Sequence, residues 1–128
     1  MVVIPLPPST NIYNTSSCEI IIYKTSDTSI LMKITFTPSS ATVTPVIQFN
    51  TDLLASALKI NNSDLLEVGA IIPLMIQGGT YSGNFINWYL QRRSAVNYQL
   101  NFIKQDNFDI TKVYELLLFV PFTQHANS

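Results

Sequence analysis

Apolar and polar residues alternate along much of this chain. From Ile30 to Thr37, Ile30, Met32, Ile34 and Phe36 fall on one side, and Lys33, Thr35 and Thr37 on the other. From Asn97 to Lys104, Tyr98, Leu100 and Phe102 oppose Gln99, Asn101 and Ile103. A period of two is the signature of a strand with one buried face. Similar runs, bounded by turn residues, predict further strands at Glu19–Tyr23, Thr42–Phe49, Leu65–Val68, Ala70–Gln77, Thr80–Leu90 and Val113–Phe122. The turn signals are Ser26-Asp27-Thr28-Ser29, Pro38-Ser39-Ser40, Gly78-Gly79, Arg92-Arg93-Ser94 and the polar stretch Gln105–Asp109. One segment has helical spacing instead. Asn50 or Thr51 can cap it, Asp52 suits its first turn, and Leu53, Leu54, Ala57, Leu58 and Ile60 form one stripe. It predicts a short helix over about residues 52–60, which needs a sheet to lean on.

Short, closely spaced strands with turn signals predict an all-β, antiparallel β-sandwich, and eight strands suggest a jelly roll. Residues 1–18, rich in Pro and then in Ser, Thr and Asn, read as an extended N-terminal arm, and 19–128 as a single domain. Pro45, Pro73 and Pro121 fall inside predicted strands; proline gives no ladder donor, so these positions belong at edges or bulges. The last strand is unusual. Tyr114, Leu116, Leu118, Val120 and Phe122 share one side, yet the other side, Val113, Glu115, Leu117 and Phe119, is also mostly apolar. Such a strand is either covered on both faces or has one face against another subunit.

Composition sharpens this. Of 128 residues 47% are hydrophobic but only 12% are charged, about half the usual quarter, and seven basic against eight acidic residues give a net charge of -1. The chain is too apolar for a disordered segment and not basic enough for a dedicated nucleic-acid binder. A single Cys excludes an internal disulfide framework and a Cys-based zinc cluster. The N-terminus lacks the basic start of a secretory signal and is interrupted by Pro5, Pro7 and Pro8. The uncharged run Val68–Gln91 is broken by Pro73, Gly78, Gly79 and Gly83 and reads as two strands, not a membrane span. With so few charges, much of the surface must be Ser, Thr, Asn or hydrocarbon, and extended apolar patches mark contacts. The expected contact residues are Val2, Val3, Ile4 and Leu6 in the arm and Val113, Leu117 and Phe119 in the last strand.

Catalytic chemistry finds little footing. His125, the only histidine, could pair with Cys18 only if the chain ends meet, and no third group is evident to hold it. Asp106, Asn107 and Asp109 could offer oxygens to Ca²⁺ but lack the glycine and distal glutamate of a calcium loop, so they read as a solvated turn. Asp64 and Glu67, three apart on a strand, point to opposite faces. Arg92 and Arg93 lie near Trp88, Tyr89 and Tyr98, but two charges are too few to grip a nucleic acid. Asn14-Thr15-Ser16 and Asn61-Asn62-Ser63 match glycosylation sequons, as chance allows in an Asn/Ser-rich chain. The sequence thus predicts no enzyme, no cofactor and no metal. The richest cluster is Tyr81, Asn84, Asn87 and Trp88, aromatic faces with amides that suit a sugar; strand alternation splits it, with Tyr81 and Asn87 on one face and Asn84 and Trp88 on the other.

The layout of strands, a helix after the third, a proline-bearing arm and a neutral Ser/Thr/Asn-rich surface resembles the single jelly-roll proteins of virus particles. The resemblance covers residues 19–122 in layout. It departs from genome-packaging coats, whose arms are commonly basic, because residues 1–18 hold no Lys or Arg. It implies a structural assembly protein of the virion: a minor capsid, vertex, decoration or spike component that packs against its own copies and other shell proteins. The alternative is a carbohydrate- or receptor-binding module, extracellular or cytoplasmic, using Tyr81, Asn84, Asn87 and Trp88 on a host glycan.

Overall fold

The computed structural model describes residues 3–5, 10–50 and 63–124, and every regular element there is a β-strand. In chain order these are β1 (Val3–Pro5), β2 (Asn11–Tyr13), β3 (Thr15–Lys24), β4 (Ser29–Pro38), β5 (Val46–Asn50), β6 (Ser63–Leu65), β7 (Gly69–Ile76), β8 (Thr80–Arg92), β9 (Asn97–Lys104) and β10 (Tyr114–Gln124). The helix expected over 52–60 lies outside the described residues. The all-β, antiparallel expectation holds. Among the described residues ten strands, where the sequence predicts eight, form one sheet in the order β1-β3-β4-β10-β7-β8-β9-β5-β2, with β6 on β10. A jelly roll contains two Greek keys. Here β7, β8 and β9 are successive neighbours and β10 returns beside β7, which is one Greek key.

The sheet must curl. β2 and β3 are separated only by Asn14, yet β2 pairs with β5 and β3 pairs with β4, far along the strand order. Laid flat, β2 and β3 would be roughly 34 Å apart at strand spacing, a gap that one residue cannot bridge. The sheet therefore wraps until it is nearly a barrel, with β2 and β3 as one bent strand serving both ends. Asn14 makes the bend with φ 65, in the left-handed region that Asn tolerates. Its Nδ2 donates to the Thr44 carbonyl at 3.0 Å, and its carbonyl accepts from the Ser39 N–H at 3.2 Å. Both contacts reach the 39–45 connection from β4 to β5. Much of the stretch expected to be an arm is thus sheet. β1 pairs with the far end of β3, Val3 opposite Tyr23, and β2 belongs to the wrap itself.

Alternation decides what fills the interior. Ile20, Ile22, Ile30, Met32, Ile34, Phe36, Ile47, Phe49, Ile86, Trp88, Leu90, Tyr98, Leu100, Phe102, Leu116, Leu118 and Val120 form one continuous core. Phe108, from the stretch expected to be a polar turn, joins them and meets Phe36 edge-on at 5.8 Å between ring centres. The wrap is thin at one place. β10 and β7 pair only through Tyr114–Ile76 and Glu115–Met75, after which β6 takes over at Phe122–Leu65.

Candidate functional site

The thin junction is where the outer surface becomes apolar. β10 is a central strand, with β4 on one side and β7 and β6 on the other. Its inward residues are sealed, but Leu117 is 48% and Phe119 62% exposed. Among the described residues the strand is therefore not covered on both faces. The next strand repeats the pattern: Ile71 is 66% exposed, Pro73 is exposed and Met75 half-buried. Continued from its two formed pairs, the β7–β10 register would set Pro73 opposite Leu117 and Ile71 opposite Phe119. Instead the strands part, leaving a hollow of about 350 Å³ lined by Ile72, Pro73, Met75, Gly79, Glu115 and Leu117. The apolar face runs on across β8 and β9. Pro73 pairs with Phe85, and Ile71 with Asn87, which pairs with exposed Ile103.

Local backbone chemistry shapes this face. Gly78 and Gly79 take φ of 99° and 89°, giving the tight turn from β7 to β8 a conformation that side chains disfavour. In β8 a bulge opposes Phe85–Tyr81 to Pro73–Met75, with Gly83 at φ 92 and the Asn84 N–H donating to Ser82 Oγ at 3.3 Å. The bulge leaves Tyr81 and Phe85 on the outer surface, their rings 5.9 Å apart. Ionised groups are sparse here. Glu115 and Lys33 sit together at 3.8 Å, and β7 has no ionisable side chain.

The other expected residues are distributed as follows. Val2 and Leu6 lie outside the described residues; Val3 and Ile4 are in β1. Val113, half-buried, accepts a backbone hydrogen bond from Gln77 at 2.8 Å. Tyr81 is exposed, Asn84 and Asn87 are half-buried, and Trp88, 2% exposed, points into the core. Trp88 Nε1 is buried without a hydrogen-bond partner. A sugar on the outer face could therefore not reach Trp88. From sequence Pro73 is named only as an edge or bulge position, and Ile71, Phe85 and Ile103 are not named as contact residues, although their odd-numbered spacing with Met75 and Tyr81 carries the signal.

The polar candidates are occupied locally. Arg92 donates to the Ala95 carbonyl at 2.7 Å and lies over the Tyr98 ring, bracing the β8–β9 loop. Arg93 rims a polar hollow of about 310 Å³ with Asn11, Gln48 and Asn97, floored by Phe49 and Tyr98. Asp109 accepts from the Thr111 hydroxyl at 2.6 Å and the Thr111 N–H at 2.9 Å, which holds its carboxyl below the ordinary range. Among the described residues no three His, Cys, Asp or Glu side chains gather as a metal site. His125 lies outside the described residues, and so does any dyad with Cys18. Burial pushes the Cys18 thiol up from 9.0 to about 11. Because the folded value is the higher, the contribution to stability is complete below the unfolded value and fades as pH rises through 11. At pH 8 the thiolate is depleted about a hundredfold, so a disulfide reagent should label native Cys18 at least about tenfold more slowly than the urea-unfolded chain; equal rates would show an open thiol.

No helix among the described residues is long and apolar enough to cross a membrane. Comparison with protein families, characterised proteins and solved structures finds no match to this chain.

Proposed function

We propose that this protein is a structural assembly subunit, an oligomeric component of a virus particle or similar shell, and that it acts by packing. The observation that carries this reading is the central strand β10 with Leu117 and Phe119 on an uncovered face. Solvent-facing apolar groups at the middle of a sheet, beside others on β7, β8 and β9, are the expected form of a contact surface. The low charge of the chain supports the same reading, since closely packed copies then have little to repel them. We assign the shell domain a two-layered sandwich form, the wrapped sheet pressed into two faces; the narrow β7–β10 junction and the Asn14 bend support this reading as the places where one layer would turn into the other. A carbohydrate-binding module keeps Tyr81 and Asn87 on the outer face but not Trp88, so packing is the function argued here.

Light scattering across a concentration series tests it. The protein should form a closed oligomer, and Leu117→Lys should weaken association by at least about tenfold, since it sets a charge in the middle of the contact. A monomer at every concentration would overturn self-assembly.

A further inference from the structure

The hollow and the exposed side chains beside it lie on one face, which makes that face complementary to itself. Phe119 is two residues beyond Leu117 on β10, and Leu117 lines the hollow together with Pro73 and Met75. A projecting ring next to a recess of apolar character is the geometry a two-fold contact requires, because each copy must offer both halves of the fit. Resting on the assembly reading above, we propose that this face is a two-fold interface with a second copy of the chain, in which Phe119 of each copy fills the hollow beside Met75 and Leu117 of the other.

Three properties of the face select a second copy as the occupant. The first is charge. In a two-fold contact each surface meets a copy of itself, so a net charge on the face would be met by the same net charge. Here Glu115 is matched by Lys33 at 3.8 Å, and β7 has no ionisable side chain. The second is area. At their exposures, Ile71, Tyr81, Phe85, Ile103, Leu117 and Phe119 present on the order of 600 Å² of accessible surface, a large share of the roughly 800 Å² each partner buries in a stable complex. The third is fit. A hollow of about 350 Å³ has room for one aromatic side chain.

Complementation tests this directly. Phe119→Ala removes the projection, and Met75→Trp fills the recess. Each variant alone has neither contact in its own dimer. Mixed, they retain one intact contact, between Phe119 of the Met75→Trp copy and the open hollow of the Phe119→Ala copy. The expected result is that each variant alone is monomeric where the wild type is dimeric, while the mixture associates at least about tenfold more tightly than either. Recovery in the mixture also shows that both variants are folded. If the wild type assembles and both variants assemble equally well, the interface lies elsewhere and the assembly reading survives. If the mixture associates no better than its components, the two-fold fit is overturned. If the wild type is monomeric throughout, both the interface and self-assembly fall.

Discussion

Phe36→Ala is expected to lower the unfolding free energy by about 3–5 kcal/mol, the usual range for deleting a buried aromatic ring. Phe36 is fully enclosed, and its ring lies 5.8 Å from Phe108 and 5.7 Å from Tyr114, which in turn are 5.4 Å from each other. The three rings are linked to backbone on two connections. The Phe108 N–H donates to the Ala41 carbonyl at 2.9 Å, and the Asp109 N–H donates to the Tyr114 hydroxyl at 2.9 Å. Removing the central ring therefore leaves a cavity and also loosens the attachment of the β4–β5 and β9–β10 connections. A domain of this size has roughly 5–15 kcal/mol in all, so much of the stability would go. Urea unfolding should show a lower midpoint at nearly constant slope. A loss below about 1 kcal/mol would mean that the rings are not packed as described.

Which parts of this molecule were legible in its sequence follows from the range of the interactions involved. Inward residues could be read wherever alternation was regular. Ile30, Met32, Ile34 and Phe36 in β4, and Tyr98, Leu100 and Phe102 in β9, all face the core. Period two is a local property, and burial on one face is its direct cause. Phe108 was missed because it stands alone among polar residues, and a single aromatic in a loop gives no period to read. The strand order was not legible either. β4 and β5 lie at separated places in it because of pairings with β9 and β10 made across long stretches of chain, which no short window contains. The outer face illustrates the same limit. The sequence showed that β10 is apolar on both sides but left open whether its outer face is covered; among the described residues Leu117 and Phe119 stand exposed there, which depends on where β7 leaves β10. Pro73 lies at this departure, with the irregular β7–β8 register beginning next to it, consistent with a residue that cannot donate to a ladder.

The first and last parts of the strand order meet at Asn14, and Asn14→Val should show what the bend contributes. Asn14 holds φ 65 between β2 and β3, a conformation that a β-branched residue strongly resists. Valine also removes the Nδ2 donor to the Thr44 carbonyl. Backbone strain of about 1–3 kcal/mol and the lost hydrogen bond, about 1 kcal/mol, together predict a loss of roughly 2–4 kcal/mol. Asn14→Gly separates the two contributions. Glycine accepts the left-handed backbone but has no side chain to donate, so it should lose only about 1 kcal/mol. The losses should also be uneven in space. β2 is the last strand of the order, paired only with β5 through contacts such as Ile12–Ile47, and it runs through the bend into β3, whereas β5 is also held by β9. Amide exchange at Ile12 should therefore speed up in Asn14→Val before exchange at Ile20 and Ile34, whose β3–β4 ladder is long and local. Equal losses for Val and Gly would show that the hydrogen bond, and not the bend, is what Asn14 supplies. Uniform acceleration across both ladders would show that the ends of the sheet are joined by more than this hinge, because the wrap would then open only with the whole core.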